Sequence, residues 1–440
     1  MNKIKFDFSN SKITDLKYKK YEKDLQKEIK NLNNASKKKY LDLRCSINLP
    51  LDNKILNESK LISNKLRSAQ TIVVIGIGGS NLGTIAVYEA LRGKLYNQTQ
   101  KKKVYFADTC DSNSISEISN LIKADLIAGK KVILNAISKS GGTTETIANF
   151  EILLNVVKKY AKYDYKKYVV ITTGKKSPFE KYAISEKFSI LNLPDNVGGR
   201  YSVFSNVGIF PLIFLGVDCK KLFLGAKDIR VDCLSKSIVK NPAMKSAVTI
   251  YEMNKSGKNI FNTFIFCSQF ESVGKWYRQL LGESIGKEFN LNKKKINVGV
   301  TPTVAIGSTD LHSLSQLYLG GPNDKLHCFV KINNVKLVKL GNDKKLDLIV
   351  SHLQNKKFEE IMSAIYLGTT KAFTKKKIPY YEIELEEISE YTVGALLQMK
   401  MIEVMFLGSL YNVNPFDQPN VEDYKIITKK ILSGVENGRN

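Results

Sequence analysis

The chain has 440 residues, 43% of them hydrophobic and 25% charged. That is enough apolar material for two or three folded domains and excludes a chain too small to build its own core. Lysine and arginine outnumber the acids to leave a net charge of +26. The lysines are scattered in short runs, such as 37–39, 101–103, 293–295 and 375–377, and arginine, the favoured reader of base edges, is scarce. A solvated basic surface is expected, with no nucleic-acid partner. No apolar run reads as long enough to span a bilayer, and the first residues lack the apolar core of a signal peptide. A cytoplasmic protein without a membrane partner is the simplest expectation. Cys45, Cys110, Cys219, Cys233, Cys267 and Cys328 form no C-x-x-C pair and read as buried free thiols. The three histidines, His312, His327 and His352, form no H-x-x-x-H pair, so no metal site is expected.

Residues 1–60 are charged and helix-prone, with apolar positions too sparse for an independent core; they are expected as a helical segment packed on a later domain. The run at 71–75 reads as a buried strand and leads into a glycine stretch, Gly76 to Gly83. A dinucleotide fingerprint starting at Gly76 would need glycine at position 81, where Asn81 stands. Strands are predicted again at 104–108, 131–137 and 168–173, with helices between them. Apolar strands alternating with helices indicate a parallel sheet covered on both faces, with ligands held beyond the carboxyl ends of the strands. A second set follows: a strand at 262–267, a helix at 273–287, an extended stretch at 298–305 interrupted by Pro302, a helix at 311–319, and strands at 328–332 and 380–385. A helix over about 393–410 is apolar nearly all round and so should be buried. The fold class is α/β, with two such domains over 61–218 and 219–412, and helical segments at 1–60 and 413–440.

The chemistry centres on the stretch Ser138-Lys139-Ser140-Gly141-Gly142-Thr143-Thr144-Glu145-Thr146. It follows a buried strand and opens a helix. Backbone N–H groups at a helix start carry partial positive charge and lack internal partners, and hydroxyls donate to an anion without adding charge. The loop reads as the seat of a phosphate group. It is not a Walker loop, because the G-x-x-x-x-G-K-[ST] spacing is absent. Ser80, after Gly78 and Gly79, is a second phosphate candidate. Arg200 stands beside Gly198 and Gly199, which would let a guanidinium approach a ligand. Gln279 and Glu283 lie four apart on one helix face, and Glu283, between Gly282 and Gly286, suits a general base; a surface Glu283 paired with Lys287 is the competing reading. His312 is expected in the first turn of a helix, where a neutral imidazole can exchange protons. Residues 411–425 form a turn-rich exit from the buried helix and contain Gln418 and Lys425.

Together these stretches resemble the glucose-6-phosphate isomerase (phosphoglucose isomerase) family, of the compact bacterial type. The matching segments are IGIGGSNLG at 75–83, SKSGGTTET at 138–146, VGGRYSVFSNVG at 197–208, GKWYRQLLGESIGKE at 274–288, STDLHSLSQ at 308–316 and NPFDQPNVEDYK at 414–425. The resemblance implies two sugar-isomerase-type (SIS) domains, each a doubly wound, mainly parallel sheet flanked by helices. It implies interconversion of glucose 6-phosphate and fructose 6-phosphate with no cofactor. By motif position, Glu283 looks like the base between C1 and C2, His312 and Lys425 like the ring-opening groups, and Arg200 like the stabiliser of the enediol. Ser138, Lys139, Ser140, Thr143 and Thr146 would hold the phosphate; Gly79, Ser80, Gly199, Gln279 and Gln418 would line the rest of the substrate site. A homodimer is implied, with His312 reaching in from the neighbouring subunit. Two alternatives remain: a related isomerase that also accepts mannose 6-phosphate, and a non-catalytic sugar-phosphate sensor on the same domains.

Overall fold

The computed structural model describes residues 3–434; residues 1–2 and 435–440, the outer ends of the expected terminal segments, lie outside it. The first sheet contains β2 (Thr71–Ile75), β3 (Lys103–Ala107), β4 (Val132–Ser138), β5 (Val169–Gly174) and β6 (Ser189–Leu193), all parallel, in the order β3-β2-β4-β5-β6. The second has the order β1-β12-β11-β7-β10, built from β1 (Ile4–Asp7), β7 (Ile260–Ile265), β10 (Thr301–Ile306), β11 (Lys325–Asn334) and β12 (Tyr380–Glu387). Only β1 runs antiparallel there, with Ile4 opposite Leu385. The N-terminal segment, expected to be helical, is not wholly so; Ile4–Asp7 completes an edge of the second sheet. Four residues that borrow their core from a distant strand leave too short an alternation to read.

Period-two alternation distributes the buried strands over three apolar cores. Ile72 and Val74 of β2 face a central core that both sheets share, while Val73 and Ile75 face an outer one with Leu134, Phe150 and Phe179. On the far face of the second sheet, Phe264, Phe329, Tyr366, Phe373 and Tyr380 form the third. Pro302 lies in β10, which pairs only with β7 and so is an edge strand, where a missing N–H is tolerated. Just before it, the lysine-rich stretch, for which the sequence predicts no element, folds into an antiparallel hairpin of β8 (Lys287–Phe289) and β9 (Lys295–Val298).

The helix Glu390–Tyr411 lies at the centre of the central core and is buried along almost its whole length. By length and composition it is apolar enough to cross a membrane, contrary to the sequence expectation, but here it is enclosed by protein. Its two interior charges are paired: Lys400 donates to Glu403 at 2.8 Å, and Glu403 also accepts from the Tyr277 hydroxyl. It crosses the helix Cys219–Cys233 backbone to backbone. A Cβ on Gly394 would lie 2.0 Å from the Leu222 carbonyl oxygen, and one on Gly225 would lie 1.9 Å from that of Tyr391. The cysteines are free, but Cys110 is exposed and Cys267 half-buried, not buried as expected.

His327 in β11 is sealed among Tyr318, Phe329 and Phe373, with Asn262 Nδ2 at 3.1 Å from its Nδ1. Burial, helped by the charge of Lys325 and opposed by Asp324, pushes its pKa down to about 3. The unfolded chain takes up a proton below about pH 6.5, which the folded chain refuses until about pH 3. Its contribution to stability is therefore full above pH 6.5 and is lost as pH falls through that window, by at most about 1.4 kcal/mol per pH unit. Urea unfolding of His327→Gln at pH 7 and pH 4.5 should show an acid-side loss about 2 kcal/mol smaller than wild type. An equal loss in both proteins would remove His327 as the cause.

Candidate active site

In a parallel sheet the loops after neighbouring strands meet at one edge. β2 and β4 are neighbours, so the Gly76–Ser80 and Ser138–Thr146 loops lie side by side. The glycines fix how closely the first loop approaches its surroundings. A Cβ on Gly78, which has φ +60°, would lie 2.8 Å from Gln279 Nε2. A Cβ on Gly79 would lie 2.1 Å from the Gly199 carbonyl carbon and 2.5 Å from the Arg200 nitrogen. The Ser202 hydroxyl spans the same contact, donating to Gly199 O at 2.7 Å and Gly79 O at 3.2 Å.

In the second loop, Ser138 Oγ accepts from Gly141 N at 3.1 Å and lies 2.9 Å from Thr143 Oγ1. Ser140 Oγ accepts from Gly142 N at 3.4 Å. Gly141 has φ +72°, which lets the chain turn back on itself. Thr143 precedes the helix Thr144–Tyr160 but makes no side-chain cap bond, so its hydroxyl is turned to Ser138 instead. The Thr146 hydroxyl is buried without a partner among the described residues. Open helix N–H groups, gathered hydroxyls and one unsatisfied buried hydroxyl make an anion seat. Lys139 differs from its neighbours: its ammonium bonds the carbonyls of Asp195 and, at 2.9 Å, Val197. Burial lowers its pKa. The residue ties the anion loop to the segment that leads into Gly199 and Arg200.

Arg200 is buried and makes five hydrogen bonds. Nε donates to Ser284 Oγ at 2.8 Å; Nη1 to Glu283 Oε2 at 3.2 Å and Gln418 Oε1 at 2.8 Å; Nη2 to the carbonyls of Pro415 at 2.6 Å and Asp417 at 3.0 Å. The other carboxylate oxygen of Glu283 accepts from Gln279 Nε2 at 3.0 Å, and Gln279 Oε1 is buried and unpartnered. The Glu283 side chain stays 36% exposed, against 2% for Arg200. Lys287 donates to the backbone carbonyl of Glu283 at 2.9 Å, so the carboxylate is held by Arg200 and Gln279 rather than by a surface lysine.

Two expected residues lie outside this cluster within one chain. His312 is exposed and follows a 3-10 turn, Thr309–Leu311; it is not in the first turn of a helix, which begins only at Ser315–Gly320. Asp310 holds that turn by accepting from Ile306 N at 2.6 Å and Ser313 Oγ at 2.8 Å, which bends the chain before a helix can start. Lys425 pairs with Glu422 at 2.8 Å on the helix Val421–Leu432, no residue of which is buried. Ser284 and Lys287 belong to the cluster but carried no sequence signal beyond their place beside Glu283. Both act through hydrogen bonds to groups distant in the chain.

The family model described as phosphoglucose isomerase matches residues 59–440. The chain belongs to the phosphoglucose isomerase family. Among its relatives, the probable glucose-6-phosphate isomerase of Methanococcus maripaludis is 38% identical over 84% of this chain and 80% of its own length. The glucose-6-phosphate isomerase of Mycoplasmopsis synoviae is 31% identical over 91% of this chain and 93% of its own. The crystal structure of a glucose-6-phosphate isomerase from Chlamydia trachomatis shares the fold, with a TM-score of 0.83 at 18% identity, covering 100% of this chain and 90% of that one.

In this phosphoglucose isomerase fold, the Gly79–Gly199 contact sets the distance from Arg200 to the first sheet, and it is one-sided. A Cβ on Gly199 would come no closer than 3.7 Å to Gly79 Cα, an ordinary contact. Gly79→Ala should lower stability in urea unfolding by about 1–3 kcal/mol, as overpacking does. Gly199→Ala should stay within about 0.5 kcal/mol of wild type. Equal midpoints for the two variants would contradict the contact.

Proposed function

We propose that this chain interconverts glucose 6-phosphate and fructose 6-phosphate by moving one proton between C1 and C2 through a cis-enediol. The observation that carries this reading is the Glu283 carboxylate, held by Arg200 and Gln279 beside an anion seat. The phosphate rests on the 138–146 loop, which supplies binding energy away from the reacting carbons and orients the sugar. Ser138, Ser140, Thr143 and Thr146 donate to it, and Lys139 holds the loop's shape. Gly79, Ser80, Gly199, Gln279 and Gln418 line the sugar. His312 and Lys425 open the ring. Glu283 takes the proton from the carbon next to the carbonyl and returns it to the former carbonyl carbon, while the hydroxyl proton passes from that neighbouring carbon's oxygen to the former carbonyl oxygen. The Arg200 guanidinium offsets the charge that develops on the enediol oxygens. No cofactor takes part.

We further propose a homodimer in which His312 serves the neighbouring subunit's site. Two features support it. His312 is solvent-exposed in the single chain. The helix Val421–Leu432 presents Tyr424, Ile427 and Ile431 on one unpartnered face, spaced as helix neighbours are. The enzyme is proposed to work in the cytoplasm.

In deuterated water, Glu283→Gln should lose exchange at C2 and fall in kcat by about 10²–10⁴-fold, the range for removal of a general base. It should still bind a sugar phosphate. Full exchange in that variant would take the base role from Glu283. Thr146→Val should raise KM for fructose 6-phosphate with little change in kcat, because it removes a donor at the phosphate rather than at the reacting carbons. A fall in kcat at unchanged KM would place Thr146 elsewhere in the mechanism.

A further inference from the structure

We propose that Lys287 is a positioning residue, which clamps the 414–420 strap to the helix carrying Glu283. The inference rests on the isomerase reading above. Lys287 lies one turn beyond Glu283, where the helix Glu271–Ile285 has ended and β8 begins. Its side chain is only 5% exposed. Its ammonium donates to Glu283 O at 2.9 Å and Asp417 O at 2.5 Å, and meets the Asp417 carboxylate at 3.1 Å. All three bonds serve to join the C-terminal end of that helix to the strap.

The strap has no regular structure of its own and depends on such ties. Arg200 holds it from the other side, through the carbonyls of Pro415 and Asp417 and the Gln418 side chain. Asn420 donates to Glu288 at 3.0 Å, next to Lys287 in β8. Asp417 O thus lies between two buried cations. The strap carries Gln418 to Arg200 and then runs into the helix bearing Lys425. Without Lys287 the inner edge of the strap keeps the Arg200 bonds and one bond from the Tyr201 hydroxyl to Pro415 O at 3.1 Å. Arg200 must then serve the strap and the substrate at once.

The charges around Lys287 fit this role. Asp417 faces it from the strap, Arg200 from the 3-10 turn before Ser202, and Glu283 from its own helix. Burial lowers the pKa of Lys287, and Asp417 and Glu283 counter that effect. Lys287 therefore also supplies positive charge near the carboxylate.

The test compares wild type, Lys287→Met and Lys287→Arg. Lys287→Met should lose about 10²-fold in kcat, the scale of an ångström-sized misplacement, with KM changed less than threefold. Lys287→Arg should recover at least a tenth of wild-type kcat. Separately, hydrogen exchange of the amides in 414–420 should accelerate in Lys287→Met while β2 and β4 stay protected. This readout needs no activity, so an inactive wild type would count against the isomerase reading and leave the clamp to be judged by exchange. Unchanged exchange in the strap overturns the proposal. So does a Lys287→Met enzyme within twofold of wild-type kcat, or one whose lower kcat is not recovered by arginine.

Discussion

The site depends on a single buried cation having every donor satisfied. A guanidinium has five N–H groups in a fixed plane, and leaving any of them unpaired away from water is costly. Arg200 reaches five acceptors on two separate parts of the chain: the helix with Glu283 and Ser284, and the strap, through the carbonyls of Pro415 and Asp417 and the side-chain amide of Gln418. Only one of these acceptors is a full charge. The rest are dipoles, which orient the group without neutralising it. A lysine could not do this, since its ammonium has three donors and no plane.

The sequence discloses what is repeated or buried on both faces. β2 and β4 are legible because nearly every position is apolar, and the anion loop because hydroxyls and glycines crowd the turn between strand and helix. β6 and β1 are not. Both are edge strands, β6 mixing Ser189 and Asn192 with its apolar residues. The β8–β9 hairpin hides in lysines because it is built on backbone pairing and on a contact with the end of the central helix, Leu291 N to Asn412 O at 2.8 Å.

The site residues divide along the same line. Arg200, Gln279 and Glu283 stand out because glycines or helical spacing surround them, and the chain brings them together. Ser284 and Lys287 are silent because their partners lie elsewhere in the sequence, many of them backbone carbonyls that any residue supplies. His312 and Lys425 carry recognisable motifs but do not join the Arg200 cluster within one chain. Local sequence specifies a side chain and its immediate turn. Whether two such turns meet is decided by the sheet order, and for groups on the outer surface by what packs against it.

The crossing at Gly225 and Gly394 has a mechanical consequence. Where helices meet through side chains, rotamer changes let one slide along the other by fractions of an ångström. Here carbonyl oxygens occupy the space that a methyl group would need on either partner. Close-packed backbone offers no soft coordinate for sliding. The central helix is thus pinned at one point along its length, and relative movement of the layers on either side of it is confined to rotation about that pivot. Displacement is then smallest beside the crossing and grows toward the outer edges of the sheets.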